Sequence, residues 1–125
     1  MKLKVRGIAR FYYATQYSMK GMLAAFKHEP AFQYEVFAFL VLFPLSFFVA
    51  ETGTQWALLV GSCLLVLILE LINSAIEAVV DRAGTEFNEL AGRAKDLGSA
   101  AVFLGLMITA AVWLGIIADN HQLLG

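Results

Sequence analysis

Three stretches of this chain are too long, too apolar and too poor in charge to lie in water. Residues 31–50 carry a charge only near their start, at Glu35; Trp56 to Leu69 runs fourteen residues without one; Gly98 to Ala118 runs twenty-one. A bilayer core of about 30 Å is crossed by about 20 helical residues. Within lipid a single segment satisfies its backbone polar groups by coiling into a helix. The chain therefore reads as an all-α membrane protein with spans at 31–50, 55–82 and 89–118, the last two including polar ends. Composition agrees: 60% of the 125 residues are hydrophobic and 15% charged, where soluble domains average about 45–50% and about 25%. The chain reads as a single domain, with no internal repeat or linker.

The second span carries a cost. Where its uncharged run ends, the sequence continues Glu70-Leu-Ile-Asn-Ser-Ala-Ile-Glu-Ala-Val-Val-Asp81. A charged side chain at the bilayer centre costs roughly 2.5–3.5 kcal/mol on insertion scales. At helical spacing Glu70, Asn73, Glu77 and Asp81 share one face. Three acids and an amide on one stripe suit cation binding or proton transfer. Three helices alone shield such a stripe poorly, so a homo-oligomer is expected.

Basic residues set the orientation. Six of them (Lys2, Lys4, Arg6, Arg10, Lys20 and Lys27) and no acid occupy the first 28 residues, and Arg82, Arg93 and Lys95 lie between the uncharged runs of the second and third spans. The connection near Glu51–Gln55 and the tail after Ala118 hold none. Positive-inside counting puts the N-terminus in the cytoplasm and the C-terminus outside. Glu77 and Asp81 then lie at the cytoplasmic end, with Glu70 about 10 Å deeper. Trp56 and Trp113 fall towards the outer interface, as an aromatic belt. Residues 5–27 read as a basic amphipathic helix lying on the membrane surface, with Ile8, Phe11, Tyr12, Met19, Leu23 and Phe26 on its apolar side. No continuous apolar region marks a cleaved signal peptide. Cys63 is expected as a buried free thiol. Pro30 fits the first turn of a helix, Pro44 should kink the first span, and Asn88 fits a helix cap. The pairs Ala94/Gly98, Ala101/Gly105 and Ala111/Gly115 point to close helix contacts along the third span.

At the cytoplasmic end, Glu29, Glu77 and Asp81 offer hard oxygen ligands suited to Mg²⁺, and Arg10, Arg93 and Lys95 offer cations. That combination suits a metal–nucleotide phosphate with a separate carboxylate to take the acceptor's proton. Glu70, deeper and partly desolvated, is the better placed base for a hydroxyl arriving from the bilayer. No GxxxxGK[ST] loop and no zinc-deaminase pattern is present, which excludes those enzyme classes. Nucleic acid is not expected as a partner.

The stretch from Glu70 to Arg82, continued by Gly84-Thr-Glu-Phe-Asn-Glu-Leu-Ala-Gly-Arg-Ala-Lys-Asp-Leu-Gly-Ser-Ala-Ala-Val102, resembles the signature of the small bacterial integral-membrane diacylglycerol kinases. Tyr17-Ser-Met-Lys-Gly21, Glu29, Ala31-Phe32 and Glu35 resemble theirs as well. The resemblance covers essentially the whole chain. It implies a lipid kinase of the bacterial inner membrane that moves the γ-phosphate of MgATP to 1,2-diacylglycerol, working as a homotrimer with shared sites. It further implies that Glu70 is the proton acceptor and that Glu29 and Glu77 hold the metal. Asn73 and Asp81 match positions important to the site. Arg10, Tyr17, Glu86, Asn88, Lys95 and Asp96 match nucleotide positions, and Ala14, Ser18, Glu35 and Ser99 match lipid positions. Met19 stands where many relatives have Trp, Asn88 where some have His, and Pro44 is not typical of the first span.

Other readings compete. Undecaprenol kinases share part of the signature and would place the same chemistry on a different lipid. A small proton-coupled transporter could use Glu70 and Glu77 as proton sites, with no need of the cationic loop. An assembly factor could use Glu70, Asn73 and Glu77 only as a polar packing seam. Glu89 and Arg93 read as an exposed i, i+4 pair.

Overall fold

In the computed structural model, residues 7–84, 86 and 88–122 are described. Among them the chain is all helix: α1 is Ile8–His28, α2 Pro30–Val49, α3 Gly53–Arg82 and α4 Glu89–Asn120. Residues 5 and 6 of the expected surface helix, and the basic residues Lys2, Lys4 and Arg6, lie outside the described part. The last three helices are each long and apolar enough to cross a membrane, so this is a multi-pass membrane protein.

Local chemistry explains the junctions. A residue before proline is pushed out of the helical region. Glu29, before Pro30, is extended (φ −117°, ψ 103°), which ends α1 and starts α2 with proline in its first turn. The Gln33 side chain bonds back to the Phe26 carbonyl at 2.6 Å across this corner. The Glu-Pro pair therefore leaves the Glu29 side chain at a bend between two helices. Pro44 lies inside α2, which stays helical to Val49; its missing N–H removes the bond to the Leu40 carbonyl. Thr52 caps α3 by accepting the Gln55 amide at 3.1 Å, so the helix begins two residues before the expected 55.

The 30 residues of α3 and 32 of α4 extend about 45–48 Å at 1.5 Å per residue, well beyond a 30 Å core. The surplus turns carry the polar residues. α3 is the central helix, packed mainly on α4 and next on α2, while α1 touches the bundle lightly. The buried cluster of Leu59, Cys63 and Trp113, with Phe39, Leu42 and Ile116 around it, fills the half remote from the acids.

Trp113 overturns one expectation. It is buried, not belt-like, and its indole Nε1–H donates to the Leu59 carbonyl at 3.2 Å. Four residues earlier, Thr109 donates to the Ser62 carbonyl at 3.0 Å. Trp56 packs against Phe47 with the rings tilted by 41° and their centroids 5.5 Å apart. At the same end Asn120 and Gln55 exchange amide hydrogen bonds of 2.9 and 3.0 Å. Asn120 also donates to the Val49 carbonyl at 2.8 Å. Gly98 and Gly105 meet α3 closely, but a Cβ added at Gly115 would meet nothing within 4 Å, so Gly115 makes no close helix contact within this chain. The apolar side of α1 is uncovered, with Ile8, Phe11 and Leu23 exposed.

Candidate active site

Burial falls steadily along the acid stripe. Glu70 and Asn73 are 6% and 8% exposed, Glu77 is half-buried, and Asp81 is exposed. Asn73 Nδ2 donates to Glu70 Oε2 at 3.5 Å, the long limit of a hydrogen bond. The Glu35 carboxyl of α2 faces that of Glu70. Buried polar atoms normally find partners. Yet Glu35 Oε1, Asn73 Oδ1 and Ser74 Oγ find none among the described residues. Glu35 and Asn73 both adjoin Glu70, so two of these unpartnered atoms lie beside one buried carboxylate.

Glu29 and Glu77 form a shared wall between two clefts. On one side a cleft of about 660 Å³ lies between α1 and α3, lined by Ser18, Met22 and His28 together with Leu71, Ser74 and Asp81. On the other a cleft of about 470 Å³ is lined by Glu70, Asn73, Ser99, Val102 and Phe103. The arrangement puts a buried carboxylate in one chamber and two further carboxylates at its boundary with the next.

A third, polar cleft of about 360 Å³ is lined by Asp81, Gly84, Glu86, Asn88, Gly92 and Lys95. Lys95 Nζ meets Asp81 Oδ1 at 2.6 Å and so ties the C-terminal end of α3 to the N-terminal part of α4. The Asn88 side-chain oxygen accepts the Leu90 and Ala91 amides at 2.9 and 3.1 Å. Its capping role uses its acceptor, leaving only Nδ2 for a ligand. Among the described residues Lys95–Asp81 is the ion pair, and Glu89 and Arg93 do not form one.

Other sequence-predicted positions lie apart from the acids in the single chain. Arg10, Ala14 and Tyr17 are on the exposed part of α1. The Ala14 carbonyl accepts the Ser18 hydroxyl at 2.9 Å, and Lys20 lies 6.0 Å from the Tyr17 ring centre. Asp96 is exposed and lines none of the three clefts. Ser74 and His28 also belong to the first cleft, although the sequence marks neither as a site residue and His28 reads there as an interfacial residue. Ser74 stands four residues after Glu70 and three before Glu77, a helical spacing that could have found it.

The donor set admits a particular kind of metal. No group of three His, Cys, Asp or Glu side chains able to hold an ion occurs among the described residues. Mg²⁺ is commonly held by one or two carboxylates plus substrate phosphates and water rather than by an all-protein cage. Glu29 and Glu77 fit an ion that arrives with phosphate.

Three helices able to span a membrane, with a buried carboxylate in one cleft and a polar, cation-bearing cleft at the end of α3, define a membrane protein with a polar site inside its helical bundle. The profile of the prokaryotic diacylglycerol kinase family matches residues 16–117, and the chain belongs to that family. It is 51% identical over 114 residues to a diacylglycerol kinase of Haemophilus influenzae, covering 91% of this chain and 97% of that protein. It is 45% identical over 111 residues to one of Pseudomonas aeruginosa, covering 89% and 90%. It is 44% identical over 107 residues to one of Escherichia coli, covering 86% and 88%. The chain is an integral-membrane lipid kinase.

Proposed function

We propose that the chain transfers the γ-phosphoryl group of MgATP to the free hydroxyl of 1,2-diacylglycerol, giving phosphatidic acid and ADP. The observation that carries this reading is the buried Glu70–Asn73 pair in a cleft whose far wall is Glu29 and Glu77. The lipid hydroxyl loses its proton to the Glu70 carboxylate as its oxygen attacks the γ-phosphorus, and the bond to the β,γ-bridging oxygen of ADP breaks in line. Asn73 orients Glu70, and exclusion of water from the buried carboxylate keeps the lipid hydroxyl as acceptor. Mg²⁺, held by Glu29 and Glu77, supplies charge neutralisation on the phosphates. Lys95, with Glu86, Asn88 and Asp96, serves the nucleotide, while Ser18, Glu35 and Ser99 serve the lipid.

Arg10, Ala14 and Tyr17 reach this chemistry in a homotrimer with shared sites. The uncovered apolar faces of α1, α2 and α4 and the open side of the second cleft support that assembly. The distribution of basic residues supports a bacterial inner-membrane placement with the N-terminus cytoplasmic and the C-terminus periplasmic.

Glu70→Gln tests the reading. Removing a positioned base costs about 10²–10⁴-fold in turnover, while nucleotide binding and assembly should persist. Retained turnover refutes Glu70 as base. Radiolabelled ATP with a panel of diacylglycerol and undecaprenol acceptors tests the lipid; phosphorylation of undecaprenol in preference refutes the acceptor assignment.

A further inference from the structure

The side of Asn73 away from Glu70 rests on Gly98 of α4. A Cβ built on Gly98 would collide with Asn73 Oδ1 and stand 3.2 Å from its Cγ and 3.7 Å from its Cα. The Asn73 side chain is 8% exposed, and its Oδ1 has no hydrogen-bond partner among the described residues. Its amide nitrogen reaches Glu70 Oε2 at 3.5 Å, with no slack left before the contact is lost. We infer that Gly98 is a positioning residue for the phosphoryl transfer: its missing side chain makes the slot that holds the Asn73 amide against Glu70.

A methyl group at this position has two ways to fit, and both break the arrangement. Asn73 can swing its amide aside, which takes Nδ2 from Glu70. Alternatively α3 and α4 can separate locally, which widens the floor of the cleft containing Glu70 and Ser99. The other close glycine differs in kind. At Gly105 a Cβ would meet Leu69 Cδ1 at 2.6 Å, the far end of an apolar side chain that can rotate away without touching a polar group of the site. Gly98 and Gly105 thus separate site positioning from helix packing, although they lie on one helix and face the same neighbour.

The inference rests on the reading of Glu70 as base, and one experiment distinguishes the two. Full-length Gly98→Ala, Gly105→Ala and Glu70→Gln are purified in lipid–detergent micelles and assayed with MgATP and diacylglycerol. Gly98→Ala should lower kcat by about 10- to 100-fold, the scale of a misplacement of about 1 Å, with KM for ATP changed less than about twofold. Gly105→Ala should stay within about threefold of the parent in both constants. Should Gly98→Ala fail to assemble, the double variant Gly98→Ala/Asn73→Ala removes the colliding amide and should restore assembly. The inference is overturned if Gly98→Ala keeps more than half of kcat, if Gly105→Ala loses as much, if the loss appears in KM for ATP instead, or if the double variant does not recover assembly. An active Glu70→Gln sinks the base assignment; an inactive Glu70→Gln beside an active Gly98→Ala sinks only the role of Gly98.

Discussion

Replacing Asn120 by alanine should destabilise the protein without slowing its chemistry. Asn120 Nδ2 donates to the Val49 carbonyl at 2.8 Å and to Gln55 Oε1 at 3.0 Å, and its Oδ1 accepts Gln55 Nε2 at 2.9 Å. Gln55 Oε1 also accepts the Glu51 amide at 2.8 Å. Asn120 and Gln55 together thus join the end of α2, the α2–α3 connection, the start of α3 and the end of α4. Three bonds at about 0.5–1.5 kcal/mol each would total about 3 kcal/mol. Water at this part-buried end replaces some of that, leaving about 2 kcal/mol, or roughly a 30-fold shift in the unfolding constant. Gln55 stands fifteen residues from Glu70, about 22 Å along α3, too far to move the base directly. The assay is reversible unfolding in mixed micelles with increasing denaturing detergent, paired with kcat measured well below the midpoint. A stability change under about 0.5 kcal/mol would refute the reasoning on the clasp. A fall in kcat approaching that of Glu70→Gln would refute the independence of the two ends.

Glu77→Gln should raise the Mg²⁺ concentration for half-maximal activity by about tenfold or more. It removes one of two anionic oxygens, and such a charge acts on an ion with about 1–4 kcal/mol at 4 Å; an unchanged Mg²⁺ titration contradicts the ligand assignment. Asp81→Asn should cost at most about 1 kcal/mol of stability, because its pair with Lys95 is exposed. That cost should vanish at about 1 M salt, and a larger or salt-independent loss in the same unfolding assay argues against an exposed pair.

The helices and the acid stripe were legible because both are local. A run of apolar residues long enough to span a bilayer has one backbone solution, and a period of 3.6 puts Glu70, Asn73, Glu77 and Asp81 on a common face. The corner at Glu29 was legible in the same way, since Pro30 constrains its own neighbour. Trp113 was misplaced for a related reason. In a helix apolar on every side, hydrophobicity does not say which face meets protein and which meets lipid, so a tryptophan near a span's end reads as interfacial. Ser74 and His28 were passed over because each becomes part of the site only across the gap between α1 and α3.

By itself the sequence determined that this chain crosses a membrane three times as helices and carries a line of acids out of the apolar region. Those outcomes follow from backbone satisfaction in lipid and helical periodicity, which act within one segment. The tertiary structure decided which groups meet: Glu29 with Glu77 as a wall between clefts, Lys95 with Asp81, Asn73 against Gly98, and Asn120 with Gln55. The partners in each pair stand between 25 and 65 residues apart, except that Lys95 and Asp81 are separated by 14. Only the packing of α3 against its neighbours, set by side-chain shape where hydrophobicity is the same all round, brings them together.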